Sequence, residues 1–123
     1  MIMLNRVLFI DDDELTLQLG GMMLNNLGYN DVVLAEGGKK ALSILEIDTK
    51  FSVILLDLMM PDIYGLDVLR HLKSKKETRD IAVILQTGAE NQSDINQALD
   101  LGVVMVLKKP YNKNTLKQAL DSI

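Results

Sequence analysis

Val53-Ile54-Leu55-Leu56-Asp57 is an unbroken aliphatic run that ends on a carboxylate. Four such residues in succession, with no polar alternation, read as a strand buried on both faces, the mark of a parallel sheet. Three other runs behave alike. Val7 to Ile10 leads into Asp11, Asp12 and Asp13; Ile81 to Leu85 passes Gln86 to reach Thr87; and Val103 to Leu107 leads into Lys108, Lys109 and Pro110. In a parallel sheet the carboxyl ends of all strands lie along one edge, where ligands bind. The pattern therefore brings acids, a lone aspartate, a hydroxyl and an ammonium to one place, although Asp11 and Lys109 stand near opposite ends of the chain.

Between these runs the apolar spacing turns helical, and strand alternates with helix five times. Leu15, Leu19, Met22, Met23 and Leu27 form a stripe after the first strand, with Gly28 as its C-cap. Gly20 and Gly21 sit inside that helix at a cost of about 1 kcal/mol each relative to alanine, and close approach to the sheet is one reason to keep them. Asp31 to Glu36 reads as the second strand, and a short helix with Ala41, Leu42 and Leu45 follows the Gly37-Gly38 turn. Pro61 and Gly65 mark the loop before a helix with Leu66, Leu69 and Leu72 on one side. Ser93 or Asp94 caps a helix carrying Ile95, Ala98 and Leu99 that closes at Gly102, and the last helix turns Leu116, Leu120 and Ile123 inward. Five such units mean an α/β sheet covered on both faces.

The 123 residues, 48% of them hydrophobic, suit one domain with a substantial core. A net charge of -4 with no basic stripe argues against direct nucleic-acid binding. The absence of cysteine excludes disulfides and thiol chemistry. No apolar stretch reaches the length of a membrane span, and three acids cut off the first one, so neither a membrane segment nor a signal peptide is expected. A cytoplasmic domain is the expectation.

The acids carry the chemistry. Like charges about 4 Å apart repel by roughly 4 kcal/mol at an effective dielectric of 20, so gathering Asp11, Asp12 and Asp57 calls for a cation. Mg²⁺ suits the place, because it takes oxygen ligands from a few carboxylates and phosphate groups and keeps waters. Alone, the acidic triplet reads equally as a helix cap, a role that fits Asp13. Asp57 has no such duty, and burying it unpaired would be expensive. Beside Mg²⁺ a carboxylate can act as a nucleophile toward phosphorus, with Thr87 donating to one phosphoryl oxygen and Lys109 neutralising another.

These residues resemble the receiver domain of bacterial two-component response regulators, over Val7 to about Ile123. The resemblance rests on Val7 to Asp13, on Leu55 to Asp62 (LLDLMMPD) with Gly65, on Gln86-Thr87-Gly88, and on Lys108-Lys109-Pro110-Tyr111, with Ala35, Gly38, Ala41, Ala98 and Gly102 as softer matches. It implies a single three-layer, flavodoxin-like (βα)5 domain with a parallel five-stranded sheet of order 2-1-3-4-5. Residues 1–123 are then one receiver domain, with no output domain among them. By the same resemblance Asp57 is the phospho-acceptor, Asp12 the direct Mg²⁺ ligand, Asp11 the acid that holds metal-bound water, and the backbone carbonyl of Met59 a further ligand. Mn²⁺ can substitute. Thr87 resembles the switch hydroxyl, Gly88 leaves it room, Lys109 bridges acceptor and phosphate, and the Lys109–Pro110 peptide is expected to be cis. The donor would be a phosphohistidine on a histidine kinase or histidine phosphotransfer protein; His71, mid-helix, is read as an ordinary surface residue.

The domain would catalyse its own phosphotransfer and slow dephosphorylation without being a conventional enzyme. It would signal to an effector or output domain, with phosphorylation-dependent dimerisation as one mode. The expected output face is the fourth helix, fifth strand and fifth helix, around Asn96, Asp100, Val106 and Lys117. Two departures stand out. Val106 occupies a place where the family carries Tyr or Phe, so activation is expected as a backbone shift of the loop after Thr87 and of the next helix. Met59 and Ala89, at the positions that tune phosphoryl lifetime, offer nothing to orient water, so slow hydrolysis is expected.

Two other functions compete. In a haloacid-dehalogenase-like phosphatase, Asp11 and Asp13 would form the D-x-D signature, but Asp57 would go unexplained and no acidic pair follows Lys109. The other is a receiver-like interaction module that is never phosphorylated. A flavodoxin-like FMN carrier is poorer still, because three acids would repel its phosphate.

Overall fold

The computed structural model describes residues 6–88 and 92–123. Its elements are β1 (Arg6–Asp11), α1 (Glu14–Asn26), β2 (Asp31–Glu36), α2 (Gly38–Ile47), β3 (Val53–Asp57), α3 (Gly65–Ser74), β4 (Ala82–Thr87), α4 (Gln92–Asp100), β5 (Met105–Lys108) and α5 (Lys113–Asp121). The strands are parallel in the order β2-β1-β3-β4-β5, as the resemblance implies. In-register pairs Asp57↔Gln86 and Thr87↔Lys108 align the chemically distinct strand ends.

Alternate residues of the strands feed two cores. Leu8, Ile10, Ile54, Leu56, Val83 and Leu85 pack under α2, α3 and α4, while Val7, Phe9, Val53, Leu55, Ile84 and Leu107 pack under α1 and α5. β1 and β3 are buried almost throughout and β4 nearly so, but burial on both faces fails at the sheet edges, where β2 and β5 keep exposed or half-buried positions. The fifth strand also starts later than its apolar run. Val103 is buried, Val104 is 51% exposed, and both belong to the turn that follows Gly102. At the opposite edge from the site, Arg6 bridges Asp31 and Asp48 and lies over the Phe51 ring, tying β1 to the segments beside it.

The helix α1 corrects the expected stripe. Leu15, Leu19 and Met22 are 61%, 49% and 61% exposed, whereas Leu17, Gly20, Gly21 and Leu24 face the sheet. Apolar residues surround this helix, and the glycines decide which face docks: a Cβ on Gly20 would lie 1.8 Å from Phe9 Cε2. Leu99 and Ile123 are likewise exposed rather than inward, since Ala98 carries the buried face of α4 and Ile123 lies beyond the end of α5. Ser93 and Asp94 fall within the first turn of α4, not ahead of it. Asp13 caps α1 as expected, accepting from Thr16 N at 3.1 Å, and Gly28 (φ 100°) follows its C-terminus.

Candidate functional site at the carboxyl edge of the sheet

β1 ends on Asp11, which is 1% exposed, and releases Asp12 to the surface; β3 ends on Asp57, which is 5% exposed. Carboxylate oxygens of Asp11, Asp12 and Asp57 lie within 4.8 Å of one another. Lys109 reaches this group from the far side, with Nζ 2.6 Å from Asp11 Oδ2 and 3.2 Å from Asp57 Oδ1. Its backbone N donates to Thr87 O at 2.9 Å, which fixes the segment after β5 against the end of β4. The Lys109–Pro110 peptide is cis, as expected.

Burial is the main reason the Asp57 carboxyl is pushed up to about 6; Lys109 opposes it and the charge of Asp11 adds to it. Burial alone would depress the Lys109 ammonium, but its bond to Asp11 and the charge of Asp57 outweigh that and leave its pKa raised. The edge is thus an acid cluster held together by one inserted cation. An acidic oxygen set with a raised carboxyl suits a hard divalent ion such as Mg²⁺. Asp13 takes no part: its carboxylate is committed to Thr16 N and Oγ1, which leaves the D-x-D reading without its second acid.

Thr87 is buried at the end of β4, and Val106 packs half-buried against the core under α2–α4. Among the described residues, a Cβ added at Gly88 would come no nearer than 3.8 Å, to Lys109 Cβ. Met59 lies in the loop after β3 with its side chain exposed. Ala89 lies outside the described residues. His71 sits half-buried on α3, away from the acids.

Four further contacts shape this edge. The loop after β3 is clamped from two sides: Asp62 accepts from Gly38 N at 3.1 Å and Lys39 N at 2.9 Å, capping α2 from outside that helix. A Cβ on Gly65 would lie 2.4 Å from Asp57 O, so only glycine lets α3 start against the strand end. Gln86, fully buried, accepts from the Tyr111 hydroxyl, while its Nε2 has no hydrogen-bond partner among the described residues. Tyr64 donates to the carboxylate of Asp94, joining α3 to α4.

The family model described as response regulator receiver domain matches residues 7–121. The chain belongs to the response regulator receiver domain family. This receiver is 29% identical over 118 residues to chemotaxis protein CheY1 of Helicobacter pylori, covering 96% of the chain and 95% of that protein. It is 34% identical to the transcriptional regulatory protein CitT of Halalkalibacterium halodurans, over 99% of the chain but 53% of that longer protein. A receiver protein from Pseudomonas putida shares the fold at a TM-score of 0.91 with full coverage of both chains and 24% identity. The receiver domain of sensor histidine kinase PA1611 from Pseudomonas aeruginosa, solved with magnesium in its active-site cleft, superposes at 0.84, with 26% identity over 95% of this chain and 94% of that one.

The receiver is therefore a phosphorylation-activated signalling switch rather than a conventional enzyme, of a family that works with histidine kinases and downstream effectors. No described helix is long and apolar enough to cross a membrane.

Proposed function

We propose that Asp57 is the phosphorylation site, taking its phosphoryl group from a phosphohistidine on a partner kinase or phosphotransfer protein in the cytoplasm. An Asp57 carboxylate oxygen attacks phosphorus; the P–N bond breaks, and its electron pair returns to the imidazole nitrogen of the donor. Asp11, Asp12, Asp57 and the Met59 carbonyl would hold Mg²⁺, with Mn²⁺ able to replace it; the ion supplies charge neutralisation for the transferring group. Lys109 keeps contact with Asp57 and offers its ammonium to a phosphoryl oxygen, and Thr87 donates its hydroxyl to another. Recruitment of Thr87 then shifts the population toward a second arrangement of α4, β5 and α5, the surface that carries Asn96, Asp100, Val106 and Lys117.

The observation that carries this reading is the meeting of three carboxylates with Lys109 Nζ at one strand edge. It is tested by intact-mass measurement after incubation with acetyl phosphate and Mg²⁺. The chain should gain one phosphoryl group, and Asp57→Asn or chelation should abolish the gain. An unlabelled wild-type chain, or a label that persists in Asp57→Asn, would overturn the assignment.

A further inference from the structure

The hydrogen bond between Tyr64 and Asp94 joins two elements with different ties to the site. Tyr64 is the residue before α3, and its carbonyl accepts from Asp67 N at 2.9 Å and Val68 N at 3.2 Å. The next residue, Gly65, donates to Leu58 O at 2.8 Å and leaves no room for a Cβ against Asp57 O. The Tyr64 backbone is thus fixed to the end of the strand that bears Asp57. Asp94 lies in the first turn of α4, the helix that follows Thr87 in the chain. The seam continues along α3, where Arg70 binds Asp67 at 2.8 Å and Gln97 of α4 at 3.0 Å.

We propose that the Tyr64–Asp94 hydrogen bond is a latch that holds α4 in the arrangement of the unphosphorylated receiver and opens when Asp57 is phosphorylated. This rests on the function proposed above. One end of the bond is anchored to Asp57's own strand, and the other sits on the next helix after Thr87 in the chain. Drawing Thr87 onto a phosphoryl oxygen moves the second end relative to the first, and a hydrogen bond weakens steeply once its distance and angle leave a narrow range. The bond therefore favours the resting arrangement and opposes activation by its own net free energy. The phenol is held up at about 12, chiefly by its bond to Asp94, so it stays a donor throughout the working pH range. Among the described residues, Tyr64 is the aromatic side chain hydrogen-bonded to α4.

The test is a titration of the full chain with beryllofluoride and Mg²⁺, a reversible stand-in for the phosphoryl group, followed by amide NMR shifts along α4. Tyr64→Phe keeps the ring and removes the donor. It should lower the half-saturating beryllofluoride concentration about fivefold, the amount that corresponds to a net hydrogen bond of about 1 kcal/mol. Asp94→Asn, which keeps an acceptor oxygen without the charge, should shift it less in the same direction. In an Asp94→Ala background, Tyr64→Phe should make no further difference. An unchanged or raised half-saturation point in Tyr64→Phe would overturn the latch while leaving the assignment of Asp57 intact. A wild-type chain that neither binds beryllofluoride nor is labelled by acetyl phosphate would overturn both.

Discussion

Lys109 Nζ stands closer to Asp11 (2.6 Å) than to Asp57 (3.2 Å), although it touches both. The ammonium is therefore a structural counter-ion for a buried acid, whatever it later does for a phosphoryl group. Removing one member of a buried pair leaves an uncompensated charge, which costs about 3–5 kcal/mol. Lys109→Met should lower stability by about that amount in metal-free buffer, as measured by urea unfolding. Millimolar Mg²⁺ should recover a large part of the loss, because the ion neutralises the same carboxylates. A loss that is equal with and without Mg²⁺ would contradict the account of this cluster.

Asp57→Asn should do the opposite. Burial and the charge of Asp11 raise the Asp57 carboxyl from 3.8 to about 6, so the folded chain holds this proton more tightly than the unfolded one. The contribution of Asp57 to stability is therefore best below pH 4, falls between pH 4 and 6, and stays low above that. Asparagine does not titrate. In metal-free buffer Asp57→Asn should gain about 2–3 kcal/mol over wild type at pH 8, a gain that shrinks as pH falls from 6 to 4. A gain that is flat with pH, or a loss at pH 8, would refute the repulsion argument.

Adjacent glycines in α1 should respond with opposite signs. An alanine methyl at position 20 would meet Phe9 Cε2 at 1.8 Å and Cζ at 2.6 Å, and that ring is fully buried. Gly20→Ala should destabilise by about 1–3 kcal/mol through overpacking. At position 21 the methyl would rest 3.6 Å from Leu34 Cδ2, an ordinary contact. Gly21→Ala should stabilise by about 0.5–1 kcal/mol through helix propensity alone. Thermal melts of the two variants decide it; shifts of the same sign would contradict the packing described for this face.

Met59 leaves its exposed place beside the site without a polar group. Met59→Asn supplies one that can orient a water toward the phosphoaspartate, and decay of the labelled chain should quicken by roughly tenfold. Equal decay in the two proteins would mean that the lifetime is set elsewhere.

The fold was legible because the runs that make β1, β3 and β4 are short, aliphatic and unbroken, and the carboxylates that end the first two of them meet in the structure. The docking face of α1 was not. Leu15, Leu19 and Met22 keep helical spacing as well as Leu17 and Leu24 do, and the glycines that settle the matter look like defects until Phe9 is placed beneath them. Pairings between distant elements were invisible for a different reason. Periodicity gives a residue its face and strand order gives it an edge, but neither names the partner that Tyr111 finds in Gln86 or Tyr64 in Asp94. Asp62 is an intermediate case: Gly37, at the N-cap of α2, has no side chain to offer, and that gap is a signal that another carboxylate must come from elsewhere.

The most direct test of the central claim is a crystal structure of the chain with Mg²⁺ and beryllofluoride. Beryllium should be bonded to an Asp57 carboxylate oxygen, with the metal held by Asp12, Asp57 and the Met59 carbonyl, Asp11 on a metal-bound water, and Lys109 and Thr87 on the fluorines. Beryllofluoride bound at any other residue, or a metal away from the three aspartates, would contradict it.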